Sequence, residues 1–247
     1  MYISKSMKFL FLTFIIVIAC HLGFSQPIEL VSRSDKHFKK RGKDFAFIEP
    51  ATDINSFEFV ATFKTTGRKS TANIQRLYMN LEEKAKIYGA NSFRFISYEK
   101  NESKKEITII IEAYFGTDSV LKVNFANLPE NVVYIVGDFN PYGKATYTFE
   151  VNEVTKSVNS GTFYKQELIK GEEIKLNNGG FLGATIWQNW MPEKEALYFS
   201  LSNFRVESLS PQGNSFGGVS VNTGSFNQIN RNLGRLLIEI LEQFEKI

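Results

Sequence analysis

FEFVATFKTTGRKSTANIQRLYMNLEEKAKIYGANSFRFISYEKNESKKEITIIIEAYFG, residues 57–116, changes its hydrophobic period along its length, and those changes set the fold class. Phe57, Phe59, Ala61 and Phe63 alternate along FEFVATFK, the period of a half-buried strand. Between Thr71 and Tyr88 the apolar positions are Ile74, Leu77, Tyr78, Leu81, Ala85 and Tyr88, which share one stripe of a helix. Ser70 or Thr71 suits its N-cap, and Gly89 suits a left-handed C-cap. NSFRFISY and EITIIIEAYF follow, separated by a charged turn at Lys100 to Lys105. The second is dense enough in β-branched residues for a central strand. With a short strand at Phe45 to Ile48, residues 45–116 predict a small α/β module of order β-α-β-β.

Gly116-Thr117-Asp118 marks a boundary, after which apolar segments come at short spacing: SVLKVNFA, NVVYIVGD, ATYTFEV, GTFYKQELI, EEIKLNN, FLGATIW, ALYFSLS and FRVESLS. Asn-Pro, Gly-Lys, Asn-Ser-Gly, Lys-Gly and Asn-Asn-Gly-Gly punctuate them, which predicts an antiparallel β-sandwich-like domain over residues 117–210. Residues 211–228, PQGNSFGGVSVNTGSFNQ, are poor in charge and read as a Gly/Asn/Ser-rich loop. From 229 to 247 a helical pattern returns, with Ile229, Leu233, Leu236, Leu237, Ile240, Phe244 and Ile247 on its apolar stripe. Arg231, Arg235, Glu239, Glu242 and Glu245 lie on its polar face. The expected class is thus α+β, with a C-terminal amphipathic helix docked on the body or recruiting a partner.

Working outward to the amino terminus, residues 26–44 predict a mobile basic segment carrying Lys36, Lys39, Lys40, Arg41 and Lys43. Ahead of it, Lys5 and Lys8 precede an apolar run from Phe9 to Ala19, and Gly23 and Ser25 follow, the plan of a secretory signal over residues 1–25. That run, about eleven residues, is short of the ~20 that span a bilayer, so no transmembrane segment is expected once the signal is removed. Gly23-Phe24-Ser25 fits ordinary signal peptidase. Ile16-Val17-Ile18-Ala19-Cys20 forms a loose lipobox, which makes lipidation of Cys20 and a lipid anchor the alternative.

The 247 residues carry 29 Lys and Arg against 26 Asp and Glu, and the signal accounts for two of the lysines and none of the acids. A near-neutral mature chain does not predict nucleic acid as a partner. One cysteine and two histidines leave no set for a Cys- or His-based metal site or a thiolate nucleophile, so no cofactor is expected. Gly213-Asn214-Ser215-Phe216-Gly217 spells G-x-S-x-G, but the nucleophile elbow needs a histidine further on, and none follows His37. No catalytic constellation is recognisable.

Three groups are candidates for binding. Asp138 and Asn140, in Gly137-Asp138-Phe139-Asn140-Pro141, pair oxygens that suit Ca²⁺ or an ordinary turn. Trp187 and Trp190, with Tyr142, Tyr147 and Phe181 in the same half, suit a stacking platform for sugar rings. The basic run suits phosphates of lipid or an acidic polysaccharide, or is a solvated tether.

Residues VATFKTTGRKSTANIQRLYMNLEEKAKIYGANSFRFISYEK resemble the small β-α-β modules of bacterial envelope lipoproteins. The shared feature is the helix ending Lys84-Ala85-Lys86, then Gly89-Ala90-Asn91 and a strand. VVYIVGDFNPYGKATYTFEVNE, GTFYKQELIKGEEIKLNN and ALYFSLS are similar to sandwich domains of unknown function in such lipoproteins. The resemblance implies an envelope location and leaves the activity open. The expected protein is exported, periplasmic, in the envelope or secreted, with a non-catalytic binding or structural role and an envelope protein or polysaccharide as partner. Two rivals stay open: an assembly subunit recruited through the C-terminal helix, and a carboxylate-based hydrolase of wall or sugar polymers. The mature chain is expected to begin at Gln26. N-terminal sequencing or intact mass tests this, and a diacylglyceryl Cys20 start would make the protein membrane-anchored.

Overall fold

The structure, a computed structural model, describes residues 28–38, 44–178, 183–202, 205–208, 219–222 and 225–243. In chain order its elements are β1 (Ile28–Arg33), β2 (Ala46–Phe47), β3 (Glu58–Arg68), α1 (Ile74–Ile87), β4 (Ser92–Asn101), β5 (Glu106–Phe115), α2 (Asp118–Phe125) and β6 (Val132–Val136). There follow β7 (Thr146–Val151), β8 (Val154–Asn159), β9 (Thr162–Glu167), β10 (Glu173–Asn178), β11 (Ala184–Asn189) and β12 (Leu197–Ser202). The described chain ends with β13 (Arg205–Ser208), β14 (Val219–Asn222), β15 (Ser225–Gln228), α3 (Arg231–Ile240) and β16 (Glu242–Gln243). It is a mixed α+β protein, mostly β, whose strands pair mostly antiparallel.

The first sheet runs β1-β3-β5-β4-β2. Ile107, Ile109, Ile111 and Ala113 of β5 turn one way, beneath the Ile74, Leu77, Leu81 and Ala85 stripe of α1, and all of them are buried. The Asn73 side chain caps α1 by accepting from the Arg76 amide at 2.9 Å, where the sequence pointed to Ser70 or Thr71. The Thr71 hydroxyl instead binds the backbone of Arg68. Gly89 ends the helix at φ +90°, a left-handed conformation that a side chain disfavours.

Two further sheets, β15-β12-β6-β9-β16 and β11-β10-β7-β8, share one apolar cluster: Val133, Ile135, Phe199 and Leu201 from the former meet Tyr147, Phe149, Val158, Ile174 and Leu176 on the latter side. The opposite face of the β6 sheet, through Tyr134, Val136, Phe163 and Tyr198, joins the core that holds α1, α3 and the first sheet. β6 is therefore covered on both faces, which explains its continuous VVYIV run.

α3 lies inside this stack. Leu233, Leu236, Leu237 and Ile240 are buried, so the apolar stripe packs on the protein's own body. Gly234 sits where a Cβ would come within 2.3 Å of the Tyr198 ring, so a small residue lets strand and helix close. Arg235, placed on the polar face by its helical spacing, is 6% exposed. Its guanidinium donates to both oxygens of Glu49 at 2.8 Å and lies 5.0 Å from the Phe47 ring centre. Burial pushes the Glu49 carboxyl above its usual range against the opposing pull of Arg235.

Several local expectations differ from the structure. Residues 28–33, read as mobile, pair with β3, and their mostly exposed side chains, with Leu30 and Val31 adjacent, hide a strand's alternation. SVLKVNFA forms helix α2: Val120, Leu121 and Asn124 share a face, with Asn124 wholly buried. The hairpin joining β7 and β8 turns on Asn152 and Glu153, both at positive φ, and β8 buries Val158 alone among its residues, so alternation does not announce it. Residues 211–228 contain β14 and β15, and the terminal helix stops at Ile240, after which Glu242–Gln243 run parallel to β9. Phe244 and Ile247 lie outside the described residues, as do residues 1–25, read as a signal, and Cys20 within them.

Removing one member of the buried ion pair leaves the other uncompensated. Glu49→Ala or Arg235→Ala should each cost ~3–5 kcal/mol, comparable to the ~2–5 expected for Leu237→Ala. The double change Glu49→Leu/Arg235→Met should recover much of the loss. Urea unfolding of the four variants checks this.

Candidate functional site

A concave surface lined by cations lies where β1 leaves the first sheet beside the end of α1. Arg33 sits opposite Ala61, and the Ser34 amide then donates to the Val60 carbonyl at 2.9 Å, which aims the following residues across the end of α1. There Lys36 pairs with Glu58 at 2.8 Å, and Phe38 lies against Gly89, with its ring 6.1 Å from that of Phe115. A side chain at Gly89 would occupy the space of Phe38, its Cβ falling 2.5 Å from the Phe38 Cβ.

From the other side α1 contributes Lys84, Ile87 and, just past its end, Tyr88, whose ring is held edge-on against Phe63 at 5.4 Å. The result is a cleft of about 270 Å³ lined by Arg33, Lys36, His37, Lys84 and the apolar surfaces of Val60, Ile87, Phe38 and Tyr88. The Arg33 guanidinium carbon stands 5.3 Å from the Tyr88 ring centre and the Lys84 ammonium 5.6 Å. Among the described residues neither has a carboxylate within ion-pair distance, whereas Lys86 on the same turn is held by Glu82 at 2.6 Å.

Of the basic run, Lys36 falls in this cleft, while Lys39, Lys40, Arg41 and Lys43 lie outside the described residues. Arg33, Lys84 and Tyr88 were not legible as site residues. Arg33 is far from Lys84 and Tyr88 in the chain and meets them because β1 pairs with β3 while α1 packs across β3.

The other sequence candidates do not gather. Asp138 Oδ1 accepts from the Asn140 amide at 3.1 Å, and Asn140 Oδ1 from the Tyr142 amide at 2.9 Å, so these oxygens shape their own turn. Tyr142 reaches back to the first sheet, its hydroxyl 2.8 Å from the Asn101 carbonyl and 2.6 Å from that of Glu106, flanked by Lys100 and Lys105. Trp187 is 56% exposed on edge strand β11 beside Lys175, while Trp190 packs on the cluster between the β6 and β7 sheets with Lys170 over its ring. Tyr147 is in that core, and Phe181, like Ser215 and the rest of Gly213–Gly217, lies outside the described residues.

A second cleft of about 330 Å³ contains Asp44, Asp118 and Phe115. Both acids are exposed, whereas a general acid is made by burying one carboxyl of a pair. Asn91, also on this cleft, has its amide committed to both backbone groups of Gly116. Among the described residues no helix is long and apolar enough to cross a membrane, and no group of three His, Cys, Asp or Glu is placed to hold a metal ion.

Compared with known proteins, the chain matches no family model, no curated protein and no solved structure.

Tyr142 is the described side chain that ties the Asp138 turn to the β4–β5 hairpin. Tyr142→Phe should cost on the order of 1 kcal/mol and speed amide exchange at residues 101–106, with the β6 strand unchanged. Equal protection in the hairpin of both proteins would show that the hydroxyl contributes nothing.

Proposed function

We propose that this chain is an exported cell-envelope protein with a non-catalytic binding role, working in the periplasm or envelope, and that the cleft of Arg33, Lys36, His37, Lys84 and Tyr88 is its binding site. The observation that carries the reading is the pair of cations, Arg33 and Lys84, without a carboxylate partner among the described residues, in a walled cleft. The cations Lys36, Lys86 and Arg94, by contrast, are met by acids. Two that converge on a cleft unanswered suit an anion from outside.

Export is supported by the tripartite plan of residues 1–25, and the envelope location by the resemblance to lipoprotein modules. The finer fold reading belongs with it. The second half is a β-sandwich-like unit, supported by the cluster shared between the β6 and β7 sheets, and residues 45–116 are a β-α-β-β module. Recruitment through the terminal helix is the less favoured reading, because the apolar stripe of α3 is buried in the protein's own core. The partner is accordingly an acidic envelope component, met electrostatically.

Expression of the tagged full chain tests this. The protein should fractionate with periplasm or envelope, lacking residues 1–25. Its retention on washed envelopes should fall as salt rises through the range where the Debye length drops below ~10 Å. Arg33→Gln/Lys84→Gln should lower retention several-fold at low salt. Cytosolic protein, or retention indifferent to both salt and the double substitution, would overturn the proposal.

A further inference from the structure

We infer that the cleft takes a phosphomonoester, with the doubly charged phosphate between Arg33 and Lys84 and the organic part of the ester against Val60, Ile87 and Phe38. This rests on the reading of the cleft as the binding site and adds the chemistry of what it holds.

Charge is the first reason. Arg33, Lys36 and Lys84 bring three cations to the cleft and Glu58, bound to Lys36, is the one carboxylate among the described residues ion-paired with them, an excess of two. Asp35 and Glu83 are next to Lys36 and Lys84 in sequence but do not line the cleft. A phosphomonoester carries about −1.5 to −2 near neutral pH, whereas a carboxylate, a sulfonate or a phosphodiester carries one charge and would leave a cation unanswered.

Donor geometry is the second reason. A guanidinium presents a planar fork that meets two oxygens of one phosphate, and an ammonium supplies a compact charge for the third. The Tyr88 ring lies next to both cations, its centre 5.3 Å from the Arg33 guanidinium carbon and 5.6 Å from the Lys84 ammonium, and all three line the cleft. Phe63 edge-on against Tyr88 and Phe38 seated on Gly89 hold that wall in place, so the cleft is formed before any ligand arrives.

Size and lining supply the third. About 270 Å³ admits a phosphate with a small organic group but no coiled polymer, and half of the lining is apolar side chain that inorganic phosphate alone would leave uncovered. The ester is therefore presented by its end, as a free small molecule or as a headgroup standing out of a surface.

The test uses the mature chain and three probes of similar shape: phenyl phosphate, benzenesulfonate and inorganic phosphate, followed by calorimetry and by amide shifts at Arg33, Val60 and Tyr88. Phenyl phosphate should saturate and bind at least tenfold tighter than benzenesulfonate, with inorganic phosphate weaker than phenyl phosphate. Arg33→Gln/Lys84→Gln should weaken it tenfold or more, while Lys122→Gln on α2 should leave it unchanged. Equal melting temperatures establish that both variants are folded. Vesicles distinguish the sources. Binding to phosphatidic acid over phosphatidylglycerol, displaced by phenyl phosphate, supports a monoester headgroup, and phenyl phosphate binding without vesicle binding supports a free ester.

Equal affinity for phenyl phosphate and benzenesulfonate, absence of saturation, or parental affinity in the double variant overturns the phosphomonoester. If envelope retention still depends on Arg33 and Lys84 in that case, the binding cleft stands with another anion. Retention indifferent to them removes the cleft reading itself.

Discussion

Glu49 and Arg235 form a forked ion pair with almost no access to water, and the layers of the molecule meet around it. Taking two charges out of water costs several kcal/mol each unless geometry and further hydrogen bonds compensate. Here they do, because the loop after β2 is bonded on every side. The Phe47 amide donates to Asn232 on α3, the Phe47 carbonyl and the Glu49 amide bind the side-chain amide of Asn124 on α2, and the Thr52 hydroxyl donates to Asn124 as well. If α3 shifted by a turn it would strand a carboxylate, a guanidinium and these amides together. The polar hub therefore specifies one docking of α3, while the apolar stripe around it supplies the attraction.

That docking removes the independence of the two halves. Leu233, Leu236 and Leu237 belong to one apolar cluster with Phe63, Phe93 and Ile109 of the first sheet and with Tyr134 and Tyr198 of the β6 sheet. A helix written at the end of the chain thus fills the space between elements written near its beginning and its middle. Gly234 lets the Tyr198 ring lie on the helix surface, and Tyr198 stacks on Tyr134 with ring centres 5.2 Å apart. Tyr142 makes a second, lighter tie at the hairpin end of the first sheet.

What could be read from the sequence was whatever depends on local periodicity. The β3-α1-β4-β5 order was legible because each element shows a clean period, and Gly89 was legible as a cap because a helix end there needs positive φ. β1 and β8 were not, since edge strands bury few side chains and carry little alternation. α2 was misread because Val120, Val123 and Phe125 favour strands, while its buried member is Asn124, whose partners lie far upstream in residues 47–52. Arg235 was misread for the same reason: helical spacing cannot foresee that a carboxylate from the other end of the chain will meet it. Of the candidate site, the sequence showed only the Lys36 end of the basic run, because Arg33 and Lys84 become neighbours through pairing and packing across β3.

The placement of the cleft follows from this division of labour. The buried hub and the shared core fix the ends of β3 and α1, and Gly89, which cannot carry a side chain beneath Phe38, fixes the path of the crossing segment. Arg33 and Lys84 lie against the Tyr88 ring, with no ion-paired acid among the described residues. A cation held by packing instead of by a carboxylate keeps its field for something else. In a chain whose charge is otherwise nearly balanced, a local excess of two at a preformed wall is the feature on which the proposed anion site rests.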